Sequence, residues 1–398
     1  MNILMISDVY FPRINGVSTS IQTFRQALAA HGVTSTLIAP AYPGAPVDDP
    51  ELDILRIPSR YLPLDPEDRI MRTGAIRALA PRLRARNYDL VHIHTPFVAH
   101  YAGHALAREL GLPCMATCHT FFEEYLFHYV RFLPRGVLRA AARQVTRSQC
   151  NDMDAVVVPS TAMDEVLCAY GVTRPRAILP TGLPAVQFVG GDGAAFRQRH
   201  GIAPERSVLL YVGRVAHEKN IALLIRMIDE LRRSHPSALL LITGEGPAVG
   251  ALRAEARRRQ LERHVCFLGY LDRDTELHDC YRAADLFVFA SRTETQGLVL
   301  LEAMALGTPV VAIAAMGTRD ILGPQSGCRI APGHASGFAA VVAELLDDRV
   351  RLERMGNEAR EYARRWSADE TAAQLARLYR QYAEAAAQTG DAPAALLS

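Results

Sequence analysis

The sequence predicts an α/β protein of two doubly wound domains, each a mostly parallel sheet covered by helices on both faces. Short apolar runs alternate with longer helical patterns, the alternation restarts near Ser207, and a Gly-rich stretch, Val189–Gly193, separates the halves. The 398 residues suffice for two ordinary domains, and 49% hydrophobic with 22% charged residues is a globular composition.

In the first half Ile3–Ser7, Thr36–Ala39, Ile54–Ile57, Leu90–His94, Cys114–Cys118, Ala155–Val158 and Ala177–Leu179 read as strands. Several are continuously apolar, as strands buried on both faces are. Ser18–Ala30, Ile70–Arg86 and Val98–Leu110 read as helices between them. The second half offers strands at Val208–Val212, Ala238–Ile242, Val265–Leu268, Leu286–Phe289 and Pro309–Ile313. A last helix over 367–386 starts at a Ser cap and is expected to pack back on the first domain. The expected domains are 1–188 and 194–366, with a loose tail from Gln388.

Lys and Arg total 44 against 42 Asp and Glu, so charge does not mark the chain for nucleic acid, and none is expected as a partner. Seven scattered cysteines read as reduced thiols. Met1-Asn2 runs straight into a strand, and the apolar stretch Leu298–Ala315 is broken by Glu302, Gly307 and Pro309. Neither a signal peptide nor a transmembrane helix is therefore expected, and a cytoplasmic location is.

Doubly wound domains bind ligands beyond the carboxyl ends of their strands, so the loops after strands carry the chemistry. Gly16 opens a helix after the first strand, where free N–H groups suit an anion. The spacing is not G-x-G-x-x-G, which weakens a dehydrogenase reading. In Gly213-Arg214-Val215-Ala216-His217-Glu218-Lys219-Asn220, Arg214 offers a planar fork and Lys219, expected to open a helix, a point charge. Both could reach one diphosphate; solvated surface is the alternative. Glu294 lies in the loop after Leu286–Phe289, Gly297 opens an apolar helix, and Glu302 sits inside that helix. A carboxylate there needs a ribose hydroxyl, a buried Arg or a route to solvent. The pair suits a sugar nucleotide. His119 ends an apolar strand, facing its carboxyl edge. His92 and His94 share a strand face without a third ligand at metal spacing, so they read as structural or acceptor-side residues.

Glu294 to Glu302 resembles the E-x7-E motif of retaining GT-B glycosyltransferases of the family 4 type. The resemblance runs through Asp8-Val9-Tyr10-Phe11-Pro12, Asn15-Gly16-Val17, His119-Thr120, Pro159-Ser160, Pro180-Thr181-Gly182, Gly213-Arg214, Glu218-Lys219-Asn220, Gly244-Glu245-Gly246-Pro247 and Phe267-Leu268-Gly269-Tyr270. It implies two Rossmann-like domains facing across a cleft. It also implies roles: Gly16, Gly297 and Leu298 near the donor phosphate and sugar, Arg214 and Lys219 on the departing diphosphate, Glu294 and His119 on the transferred sugar, Glu302 on the ribose, Gly269 and Tyr270 at the base. The branch it resembles most glucosylates diacylglycerol, with lipid mannosyltransferases close behind.

The function so implied is retaining, metal-independent transfer of a hexose, glucose from UDP-glucose, to a lipid hydroxyl such as diacylglycerol. A GDP-mannose-dependent mannosyltransferase is the alternative. A nucleotide-sugar epimerase and a binding protein with a vestigial site are competing classes. No cofactor is expected beyond the nucleotide-sugar co-substrate. Asp152-Met153-Asp154, a metal signature of another glycosyltransferase fold, precedes a strand and reads as a helix end.

An aromatic run containing Phe121 and Tyr125 follows His119, and Arg131, Arg135, Arg139, Arg143 and Arg147 then recur every fourth residue. On a helix from about Pro134 a four-residue step drifts only about 40°, so the arginines form one stripe. Leu133, Val137, Ala141 and Val145 form an apolar stripe beside it, and a second basic stretch holds Arg69, Arg72, Arg77, Arg82, Arg84 and Arg86. The arrangement reads either as a face that docks on anionic lipid at the inner side of the cell membrane or as a solvated surface helix.

Overall fold

The computed structural model describes residues 1–43, 48–49, 53–62, 65–119, 135–273 and 275–389. The chain divides into two compact units, Met1–Gly182 with Ala368–Ser398, and Leu183–Ser367.

The first unit holds β1 (Asn2–Ile6), β2 (Thr34–Pro40), β3 (Asp48–Asp49), β4 (Ile54–Ile57), β5 (Ser59–Leu62), β6 (Asp65–Met71), β7 (Leu90–Ile93), β8 (Cys114–Thr117), β9 (Ala155–Val158) and β10 (Arg176–Ile178). Its main sheet has the order β10-β9-β8-β7-β1-β2-β4-β3, parallel except for β3, while β5 and β6 pair apart as an antiparallel ribbon. All but two side chains of β1, β7, β8 and β9, those of Asn2 and Ala116, are buried because helices cover both faces. One cover is the helix Ala368–Thr389, whose Ala372, Leu375, Ala376 and Tyr379 join Ile21, Phe24 and Leu28 in the core.

The second unit holds β11 (Ser207–Val212), β12 (Ala238–Thr243), β13 (Val265–Gly269), β14 (Leu286–Phe289), β15 (Val310–Ala312) and β16 (Cys328–Ile330), ordered β13-β12-β11-β14-β15-β16 and parallel throughout. In both sheets the winding direction reverses beside the first strand, between β1 and β7 and between β11 and β14. Loops diverge at such a reversal and leave a crevice at the carboxyl edge.

Two sequence expectations need correction. Ile70–Arg86 is not one helix: Ile70 and Met71 end β6, and two short helices, Thr73–Arg77 and Ala80–Arg84, follow, the second carrying Pro81 in its first turn. β16 lacks the apolar run that would have marked it. Val189–Gly193 is no open linker, since a Cβ on Gly191 would come within 2.7 Å of the His278 carbonyl oxygen and one on Gly193 within 2.4 Å of that of Arg282. Those glycines are there for close packing. Among the described residues no helix is long and apolar enough to cross a membrane, and the seven cysteines are free thiols.

Candidate functional site

In the second unit the loops after β11 and β14 leave adjacent strands on opposite sides of the reversal. Lys219 does not open a helix; it ends a single 3-10 turn, His217–Lys219. Asn220 follows in a left-handed conformation, φ 55°, and the helix Ile221–Leu231 starts after it. The Asn220 amide donates to the Ala290 carbonyl oxygen at 3.2 Å, tying the two loops together. Across that tie Lys219 Nζ lies 2.5 Å from Glu294 Oε1, both side chains about four-fifths buried at 22% and 18% exposure. The Gly317 N–H, donating to the Glu294 carbonyl oxygen at 2.8 Å, fixes the backbone beneath. Arg214 lies half-buried in the same turn, and its carbonyl oxygen accepts from the Tyr211 hydroxyl at 3.1 Å.

Gly297 caps the helix Leu298–Ala305 at φ 99°, and a Cβ there would lie 3.2 Å from Thr318 Cγ2, so the turn requires glycine. One turn and a half later Glu302 is held in the core with its side chain 4% exposed. Of its possible fates the structure shows the ion pair: Arg273 Nη2 donates to Oε1 at 2.6 Å, and the Tyr281 hydroxyl donates to Oε2 at 2.9 Å. Neither partner was identified from sequence, although Tyr281 stands in a helix of otherwise mixed polarity that ends near β14. Gly269 ends β13, its carbonyl oxygen accepting from the Gly244 N–H at 2.7 Å and the Thr243 hydroxyl at 2.8 Å, and Tyr270 next to it is half exposed.

In the first unit Gly16 opens the helix Gly16–Leu28, capped by Asn15 rather than by a Ser; Asn15 Oδ1 accepts from the Ser18 N–H at 2.9 Å. A Cβ on Gly16 would meet nothing within 4 Å, so a ligand could approach that backbone. At the reversal Asp8 accepts from the Thr95 hydroxyl at 2.8 Å and from the Ala99 N–H at 3.1 Å, capping the helix Val98–Leu110. Burial raises its pKa to about 7. Beyond β7 and β8, His94 Nδ1 lies 3.1 Å from His119 Nε2. His92 spends both ring nitrogens, on the Tyr379 hydroxyl at 2.6 Å and the Thr117 hydroxyl at 2.7 Å. Burial lowers His92 to about 3 and His119 to about 4, and holds His94 well below its ordinary value, so all three are neutral at pH 7. Among the described residues no group of three His, Cys, Asp or Glu side chains is placed to hold a metal ion. Asp154 of the D-x-D accepts from the Cys114 N–H at 2.8 Å.

The helix Arg135–Asn151 buries Leu138, Ala142, Gln149 and Cys150 and exposes Arg139, Arg143 and Arg147 together with Val137, Ala141 and Val145. Phe121, Tyr125 and Arg131 lie outside the described residues. The second basic stretch is not one face: Arg84 pairs with Glu109, Arg86 pairs with Asp53, and Arg69 stacks 3.6 Å over the Tyr61 ring.

Two family models match, "Glycosyltransferase Family 4" over residues 14–185 and "Glycosyl transferases group 1" over residues 192–362. An alpha-monoglucosyldiacylglycerol synthase of Streptococcus pneumoniae is 30% identical over 322 residues, 78% of this chain and 71% of that protein. A glycogen synthase of Mycobacterium tuberculosis is 34% identical over 297 residues, 74% of this chain and 67% of that one. Among solved structures, Anabaena HepE in complex with UDP-glucose superposes with a TM-score of 0.75 at 18% identity, covering 96% of this chain and all of that one (100%).

Proposed function

The chain belongs to the family 4 glycosyltransferases and has the GT-B fold, and on that premise we propose that it moves glucose from UDP-glucose to a membrane-lipid hydroxyl such as that of diacylglycerol, with retention at the anomeric carbon and without a metal ion. The observation that carries this reading is the Lys219–Glu294 pair at the reversal between β11 and β14. A cation and a carboxylate held there, out of most solvent, suit a diphosphate and a sugar hydroxyl respectively.

In this reading Lys219 and Arg214 receive the charge that develops on the departing diphosphate, and the N-terminus of the Leu298–Ala305 helix at Gly297 receives a phosphate. Glu294 holds the transferred sugar by a hydroxyl, Glu302 holds the ribose, and Gly269 and Tyr270 meet the base. Neutral His119 is assigned by the resemblance to the sugar, and Gly16 to the phosphate. Both motif carboxylates then have binding roles, which leaves neither as a covalent nucleophile. The C1–phosphate bond breaks and the C1–acceptor bond forms on one face of the ring, and the acceptor proton passes to the departing phosphate oxygen.

The lipid acceptor is supported by the names of relatives, the alpha-monoglucosyldiacylglycerol synthases of Streptococcus pneumoniae and Acholeplasma laidlawii, and by the exposed Arg139, Arg143 and Arg147 beside Val137 and Val145. Such a face suits peripheral attachment to an anionic membrane. A second reading, transfer to a glucan, is favoured by the 34% identity to a glycogen synthase. A panel of UDP-glucose, GDP-mannose and other donors, offered with lipid vesicles, glycogen or no acceptor in the presence of EDTA, separates the readings by product mass. Glucosyl lipid supports the proposal. A mannosyl lipid or an extended glucan replaces it, donor conversion without acceptor marks an epimerase, and no product with any donor ends it.

A further inference from the structure

Glu302 is held by two donors of different character. Tyr281 is fully buried on the helix Glu276–Ala283. Its ring lies 5.9 Å from that of Phe287, and its carbonyl oxygen accepts from the Thr308 hydroxyl at 2.8 Å, so neither ring nor backbone is free to swing. Burial and the Glu302 charge hold the Tyr281 phenol well above its ordinary pKa, so it remains a donor at every working pH. Arg273 comes from the connection after β13, and its side chain is 25% exposed against 4% for Glu302. It therefore covers the solvent side of the carboxylate, on Oε1, while Tyr281 occupies the interior side, on Oε2.

A ligand arriving from solvent must use the oxygen that Arg273 holds. A carboxylate accepts at about four lone-pair sites, and a ribose brings two hydroxyl donors. Oε1 alone offers about two of those sites, so it cannot accept from Arg273 and from both ribose hydroxyls together. A buried carboxylate without a partner would be costly, and Arg273 supplies one.

We infer that Tyr281 is a positioning residue, orienting Glu302 for the donor's ribose, and that Arg273 is a placeholder which the ribose displaces from the same carboxylate. The inference rests on the assignment of Glu302 to the ribose and adds to it one residue that strengthens donor binding and one that opposes it. Removing a buried hydrogen bond to a charged acceptor weakens an interaction by about 10- to 100-fold. Removing a competitor has the opposite sign.

The test is titration calorimetry of the full chain, wild type, Tyr281→Phe and Arg273→Gln, with UDP and with 2′,3′-dideoxy-UDP; the guanosine pair serves if wild type prefers GDP. Phe preserves the ring packing, and the dideoxy nucleotide reports whether the site remains folded. The expected result is that Tyr281→Phe weakens UDP about tenfold and leaves dideoxy-UDP unchanged, whereas Arg273→Gln tightens UDP severalfold and leaves dideoxy-UDP unchanged. Equal losses for both nucleotides in Tyr281→Phe, or no loss, would overturn the positioning role. Weaker UDP binding by Arg273→Gln would overturn the placeholder role. If wild type itself binds the two nucleotides alike, the ribose assignment fails, and that outcome is read before either variant.

Discussion

Replacing Lys219 by Ala should damage turnover far more than stability, and the structure sets both magnitudes. Lys219 balances Glu294 at 2.5 Å, with the two side chains 22% and 18% exposed. Stripping the partner from a fully buried pair costs about 3–5 kcal/mol, but water reaches about a fifth of this one, which reduces the cost to about 1–2 kcal/mol. In a unit of this size that is a fall of a few degrees in Tm. Turnover should drop about 10²- to 10³-fold, the usual loss when one group that stabilises developing charge is removed. Initial rates at saturating donor, measured beside a melting curve, separate the two effects. A double variant with Glu294→Gln should regain most of the lost stability and none of the turnover. Wild-type turnover in Lys219→Ala, or a rate loss no larger than its unfolded fraction, would refute the assignment.

Glu302→Ala should raise KM for the donor by about tenfold or more while leaving the chain folded enough to melt cooperatively; unchanged donor affinity would remove the ribose role. Arg139→Glu with Arg143→Glu should abolish flotation with anionic liposomes while transfer to a detergent-solubilised acceptor persists; equal partitioning of both proteins would remove the docking face. Stability should fall as pH drops. His92, His94, His100 and His119 are all held below 6.5 by burial. The unfolded chain therefore takes up protons below about 6.5 that the folded chain refuses until about 4 or lower. Asp8 works in the opposite sense: raised to about 7, it adds stability as pH falls from 7 towards 3.8. One such group does not offset four, so Tm should decline between pH 6.5 and pH 4, and a flat or rising profile would contradict the burial of the histidines as described.

The strands were legible because parallel strands covered on both faces must be apolar along their whole length, as Ala155–Val158 and Leu286–Phe289 are. Ile70–Arg86 was misread because its spacing suits a helix, and only the pairing of β6 with β5 shows otherwise. In the site, the loop positions of Lys219 and Glu294 could be read from the strands that precede them. Their direct pairing could not, because 75 residues separate them and adjacency depends on the order of strands in the sheet. The same holds for Glu302, whose burial was legible from its apolar helix while Arg273 and Tyr281, 29 and 21 residues away, were not. The basic stretch around Arg84 and Arg86 misled for the converse reason: its acids, Glu109 and Asp53, lie elsewhere in the chain.

The central claim is that the cation and carboxylates of the second unit bind one activated sugar and release it with its configuration kept. The coupling of the anomeric proton in the product, read by nuclear magnetic resonance after incubation with UDP-glucose and diacylglycerol vesicles, tests this most directly. A small coupling, as in the α-linked donor, is the predicted result. A large diaxial coupling, or glucose found only as free sugar, would contradict it.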